Sequence, residues 1–289
     1  MKDKTTAFKQ KLIPLMLLFF ALLAMEYLPA KTSVPGDLRN NEPGLNKDFQ
    51  TALDSLIHQY NFPGATAAYV LPDGTTYAFA TGFSDRESGI EMTAGSRMLA
   101  ASIGKSFVGA TLTSLHIEGV INLDAPLAQY LGDRPWFSRL PNNHQITLRH
   151  LLTHSSGLPD HVYQEEFAAE VSRKWKQKDN PFLPEDLIRF ILDSPPLFEA
   201  GKGWAYSDTN YILLGLVIEE VTGKNVFDII TERFLLPLNL TMTCPSNSRY
   251  IKNMAAGYMP EDNVFGFPAK TTSSEGELFW HPGFEWTGG

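Results

Sequence analysis

The apolar positions of this chain change their spacing several times. From Leu12 to Met25 they form one nearly unbroken run. Phe49, Leu53, Leu56, Ile57 and Tyr60 then recur at helical spacing, and Pro63-Gly64 ends the predicted helix. Ala65–Leu71 and Thr75–Thr81 are short strand-like runs. Pro72-Asp73-Gly74 between them is a tight-turn signal, so the pair reads as a β-hairpin. A further helix is predicted from about Ile103 to Glu118. Phe107, Val108, Leu112 and Leu115 share one face of it, and Gly119 stops it. From Asn122 to about Lys252 the pattern is of helices joined by Pro- and Gly-rich loops. Tyr211–Val221, almost wholly apolar, reads as a buried helix. Strands first and helices later predict an α/β layer plus a helical subdomain.

The polar residues around the first apolar run give it a meaning. Lys2, Lys4, Lys9 and Lys11 precede it against Asp3 alone, and the run is shorter than the roughly 20 residues that span a bilayer. A basic start plus a short apolar core reads as a secretory signal peptide over residues 1–30, which places the mature protein outside the cytoplasm or in a periplasm. Membrane contact then arises only if that segment stays uncleaved. Residues 31–46 hold Pro35, Gly36, Asn40, Asn41, Pro43 and Gly44 and read as a flexible lead-in. Residues 47–289 form the remaining domain, with an α/β part at about 47–120 and 255–289 and a helical part at about 121–254.

Composition narrows the chemistry. The 289 residues are 43% hydrophobic and 19% charged, which is ordinary for a globular protein. A net charge of −8 without a basic run argues against nucleic acid as a partner. The single cysteine, Cys244, excludes an internal disulfide and a thiolate zinc cluster. Gly104-Lys105-Ser106 resembles the end of a phosphate-binding loop, but Leu99 stands where that loop needs glycine. His150 and His154 are four apart, yet Leu151 occupies the position of a zinc protease's glutamate. No metal and no cofactor are implied. No Gly-x-Ser-x-Gly nucleophile elbow occurs.

What survives is Ser102-Ile103-Gly104-Lys105. A serine hydroxyl is a weak nucleophile and needs a base within hydrogen-bond reach. A lysine three residues on, at the start of a helix, can be that base when burial and neighbours favour its neutral form. The helix N-terminus favours a developing oxyanion. A second motif, Trp204-Ala205-Tyr206-Ser207-Asp208-Thr209-Asn210-Tyr211, runs into the buried helix.

With these two motifs the sequence resembles the serine β-lactamase and penicillin-binding protein family. The likeness is to the branch of class C β-lactamases, D-alanyl-D-alanine carboxypeptidases and related esterases. Ser102 and Lys105 match the family's Ser-x-x-Lys. Tyr206-Ser207-Asp208 matches its Tyr-x-Asn, with Asp208 replacing Asn. Ile121–Pro126 and Leu151–Leu158 resemble segments between them. The resemblance implies a β-lactamase/transpeptidase-like α/β fold, an antiparallel sheet flanked by helices plus a helical subdomain. It implies a secreted serine hydrolase in which Ser102 forms an acyl-enzyme while Lys105 and Tyr206 share the proton work. A nearby ammonium would favour phenolate at Tyr206. Substrates implied are D-Ala-D-Ala-type peptides of the peptidoglycan kind, β-lactams, D-amino-acid amides or small esters. A carboxylate at 208 accepts from Lys105 but cannot donate to substrate, which weighs against β-lactam turnover more than against ester or peptide acylation.

Alternatives stay open for two residues: Tyr206 as a core tyrosine, and Asp208 as a cap of the following helix. His154 reads as a loop and cap feature. The family's third motif, Lys-Thr-Gly or His-x-Gly on an edge strand, is not assigned. His281-Pro282-Gly283 has the letters but comes too soon after Tyr206, and proline suits a sheet ladder poorly. Phe284–Gly289 instead resembles the family's earlier Gly-Gly segment. The expectation is therefore a C-terminally truncated chain lacking the closing strands and last helix. The competing reading is a non-catalytic remnant or acyl-binding protein.

Overall fold

The computed structural model describes residues 43–288, apart from Lys178, Val264, Phe265, Ser274 and Glu285. The predicted signal segment lies outside the described residues, as does most of the predicted lead-in. The last part of that lead-in is helical, because helix α1 spans Pro43–Tyr60. The Pro43-Gly44 pair read as a loop signal, but proline is favoured at the first helical position, where its missing N–H costs nothing. Two strands follow, β1 (Gly64–Val70) and β2 (Thr76–Asp85). Between them the Leu71 and Thr75 backbones bond across the predicted turn. A short β3 (Ile90–Glu91) pairs antiparallel with β2, giving a sheet of order β1-β2-β3.

The chain divides into two units. In the first, residues 43–49 and 69–77, Tyr69 donates to Asn46 and packs its ring against Phe49 and Tyr77. The second, residues 50–68 and 78–288, contains the helical part and every candidate site residue.

Within this second unit the core is built around helix α7 (Asp208–Thr222). All of its residues from Asp208 to Ile218 are buried, which explains a sequence without an amphipathic stripe. Against it pack α2 (Lys105–Ile117), α3 (Ala128–Leu131), α4 (Leu148–Leu152) and α6 (Pro184–Ile188). Leu112, Leu127, Leu148, Leu151, Ile212 and Val217 are wholly shielded from solvent. The helical part also holds α5 (Glu165–Lys174) and α8 (Val226–Ile230), the latter running into a wide π-type turn at Thr231–Leu235.

Residues 255–288 were expected to return to the α/β layer. Among the described residues they form no strand. They make single bridges instead, such as Tyr258 to Lys270 and Thr272 to Leu278. They end in two tight 3-10 turns, Pro282–Phe284 and Trp286–Gly288. The second turn lies directly on α7. A Cβ at Gly215 would come within 2.5 Å of Thr287 Oγ1 and 2.7 Å of the Trp286 ring, so only glycine admits this approach. The Thr287 hydroxyl then donates to the Tyr211 carbonyl at 2.8 Å. His281-Pro282-Gly283 sits in a local turn, with His281 Nδ1 accepting from the Gly283 amide.

Candidate active site

Ser102 does not open an α-helix, as its spacing suggested. It lies in a 3-10 turn, Ala101–Gly104, and α2 begins at Lys105. A 3-10 turn has three residues per turn, so positions i and i+3 eclipse one another. That brings Lys105 Nζ to 3.0 Å from Ser102 Oγ. Ala101, just before the serine, has φ +46°, a left-handed conformation that is strained for a residue with a side chain. Such strain costs on the order of 1–3 kcal/mol and persists where packing enforces it.

Tyr206 comes from the loop before α7 and donates its hydroxyl to Ser102 Oγ at 2.8 Å. The nucleophile therefore faces both proton-transfer candidates at once. Lys105 is only 7% exposed. Its ammonium has three protons and three oxygens around it: Ser102 Oγ, the Gly288 carbonyl and Asp208 Oδ1, the last at 2.6 Å. The rings of Tyr206 and Tyr211 lie beneath the nitrogen, 5.1 and 5.6 Å from it.

Asp208 is the first residue of α7 and turns its carboxylate toward Lys105. Ser207, the N-cap position, makes no side-chain cap and gives its hydroxyl to the Pro159 carbonyl. The amide of Asp208 is instead taken by Asp160, whose carboxyl also receives Val162 N–H. Burial, then the Asp208 charge, push the Asp160 carboxyl upward. One lysine thus shares a buried region with two carboxyl groups. Burial and the Asp208 carboxylate also push the Tyr206 phenol upward. The expectation of a ready phenolate at Tyr206 is therefore corrected: lost hydration and the neighbouring carboxylate shift it in the opposite direction.

The site also uses residues that spacing did not reveal. The Gly288 carbonyl, from a segment 183 positions after Lys105, accepts from its ammonium. The likeness of Phe284–Gly289 to a family segment marked the stretch but not this role. His154 stacks on the Tyr206 ring, with centroids 4.4 Å apart. His150, by contrast, closes a local capping box with Thr147 at the start of α4. Among the described residues no group of three His, Cys, Asp or Glu is placed to hold a metal.

Comparison with known proteins agrees with this geometry. A family model described as Beta-lactamase matches residues 49–257. Protein flp of Staphylococcus aureus (strain COL) is 27% identical over 255 residues, covering 82% of this chain and 49% of that protein. Penicillin-binding protein 4* of Bacillus subtilis (strain 168) is 27% identical over 219 residues, covering 74% of this chain and 45% of that protein. This chain therefore spans about half the length of the curated relatives it matches. Among solved structures, the D-amino acid amidase from Ochrobactrum anthropi SV3, complexed with L-phenylalanine amide, superposes with a TM-score of 0.67. It is 26% identical, and the match covers 85% of this chain and 65% of the amidase.

Proposed function

This chain belongs to the Beta-lactamase family, and on that premise we propose that it is a serine hydrolase that opens amides, esters or peptides through an acyl-enzyme at Ser102. The observation that carries this reading is one oxygen between two proton-handling groups: Ser102 Oγ, 3.0 Å from Lys105 Nζ and 2.8 Å from Tyr206 OH.

The chemistry follows from the arrangement. The acylation step uses Lys105 as the free amine, with Asp208 Oδ1, 2.6 Å away in the buried pair, as the acceptor of its third proton. The free amine then takes the Ser102 proton as Oγ bonds to the substrate carbonyl carbon. The tetrahedral intermediate collapses, the carbon–nitrogen or carbon–oxygen bond breaks, and the Tyr206 hydroxyl gives its proton to the leaving group. Tyr206 is suited to that acid role because burial keeps it a neutral phenol. Lys105 returns a proton to Tyr206. Water then attacks the acyl carbon, its proton passing by the same route in reverse, and the acid product leaves with Ser102 restored.

Substrates that fit are D-amino-acid amides, D-Ala-D-Ala-type peptides and small esters. Export is part of the proposal, supported by the basic start and the apolar run of residues 12–25. The test is hydrolysis of a panel of these compounds beside penicillin. The expected result is turnover of esters and amides, with β-lactams acylating slowly. No turnover of any member by folded, soluble chain contradicts the proposal and favours an acyl-binding protein.

Asp208 sets that preference. Asp208→Asn supplies an amide donor that a carboxylate lacks. The ratio of penicillin acylation to p-nitrophenyl ester acylation is expected to rise about tenfold, the effect of one hydrogen bond of about 1.4 kcal/mol. Stopped-flow acylation rates measure it, and an unchanged or falling ratio counts against the role given to Asp208.

A further inference from the structure

Tyr206 is bracketed by one residue. The backbone carbonyl of His154 accepts Ala205 N–H at 3.0 Å, and His154 Nδ1 accepts Ser207 N–H at 3.2 Å. The residues before and after Tyr206 are thus both bonded to His154, and the imidazole stacks on the phenol ring between them. Nδ1 also faces the side-chain amide nitrogen of Asn210 at 3.1 Å. Asn210 is itself fixed, because its Oδ1 takes the Ser156 hydroxyl at 2.6 Å. Both groups facing Nδ1 are therefore N–H donors, so Nδ1 carries a lone pair and the proton sits on Nε2. The His154 backbone is left-handed, φ +56°, a region histidine and asparagine tolerate better than most residues.

We propose that His154 is a positioning residue for Tyr206, holding the phenol on Ser102 through the acceptor at Nδ1. The proposal rests on the acyl-enzyme reading above. It gives a physical reason for the pairing of two distant sequence segments: residues 151–158 supply the acceptor, and residues 204–211 supply the donors that register Tyr206. The charged and titratable groups facing the ring are Lys105, Tyr206 and Tyr211. Burial, then the charge of Lys105, hold the imidazole down to about 4. The ring is neutral at neutral pH. As pH falls through about 4, protonation puts an N–H against two N–H groups and the acceptor is lost.

Three variants separate acceptor from bulk. His154→Phe keeps a ring and deletes the acceptor. His154→Asn places an oxygen where Nδ1 stood and suits the left-handed backbone. His154→Gln moves the oxygen toward the Nε2 position. Steady-state hydrolysis of a p-nitrophenyl ester is measured as a function of pH, with thermal unfolding of each variant alongside. A misplaced proton-transfer group costs on the order of 100-fold. His154→Phe and His154→Gln are expected to lose about 30- to 100-fold in kcat with KM changed less than about threefold. His154→Asn is expected to stay within about fivefold of the parent, and to lack the parent's fall in kcat through about pH 4. The proposal is overturned if His154→Asn falls as far as the other two, or if all three stay within about threefold of the parent. Should His154→Phe not fold, the Asn and Gln pair decides alone. A folded parent chain that does not turn over ester overturns the acyl-enzyme reading and this inference with it, a result distinct from an active parent indifferent to residue 154.

Discussion

Ser102→Ala is expected to lower ester and amide hydrolysis by roughly 10⁴- to 10⁶-fold, the loss seen when a nucleophile acting with its base as one unit is removed. Among the described residues, the neighbouring serines are committed to other partners. Ser156 gives its hydroxyl to Asn210, and Ser155 is bonded to Thr153. Tyr206 is close enough, but burial keeps it protonated and a neutral phenol is a poor nucleophile. The variant should fold as the parent does, since one half-buried hydroxyl contributes about 1 kcal/mol. Rates and unfolding curves measured together check this. A loss of less than tenfold with intact stability would mean that the chemistry lies elsewhere.

Lys105→Met is expected to act on activity and stability at once. The lysine is buried, and its partner Asp208 Oδ1 stands 2.6 Å away. Removing one member of a buried pair leaves an uncompensated charge, which costs about 3–5 kcal/mol. Removing the base costs on the order of 10³-fold or more in acylation. A second substitution separates the two effects. Lys105→Met with Asp208→Asn has no buried charge to strand, so denaturant unfolding should recover most of the lost stability. Activity should not recover, because the proton acceptor is still missing. A double variant that regains hydrolysis would show that Lys105 serves only to neutralise Asp208.

Much of this site was legible because its parts are local. Ser102 and Lys105 are three apart, and either a 3-10 turn or a first α-turn puts such residues on one side. Mistaking which turn it is leaves the pairing intact. Tyr206 and Asp208 stood out by resemblance to the family's Tyr-x-Asn, in a segment that runs into a helix too apolar to be anything but buried. The hairpin was readable from two alternating runs around Pro72-Asp73-Gly74, and its strands fall within a few residues of the expected bounds. What sequence did not show is set by contacts between remote segments. The Gly288 carbonyl is a backbone group, so no side chain marks it. It reaches Lys105 only because Gly215 lets Trp286–Gly288 lie on α7. His154 looked like a loop histidine because its partners lie more than fifty positions away. The charge state of Tyr206 was misjudged for a related reason. An ammonium beside a phenol favours phenolate, but the sum of burial and Asp208 is readable only once the chain is folded. Residues 255–288 were expected in the α/β part, and single bridges stand there among the described residues instead of strands.

The central claim is a covalent bond to one oxygen, and mass spectrometry reads it directly. The chain is incubated briefly with a p-nitrophenyl ester, or with a fluorophosphonate as a trap, then quenched in acid, weighed intact and digested with trypsin. Cleavage after Arg97 and Lys105 releases Met98–Lys105, in which Ser102 is the only hydroxyl-bearing residue. The account predicts one added acyl or phosphonyl mass per chain, carried by that peptide and absent from the Ser102→Ala protein. An unmodified folded chain, or a label on any other peptide, would contradict it.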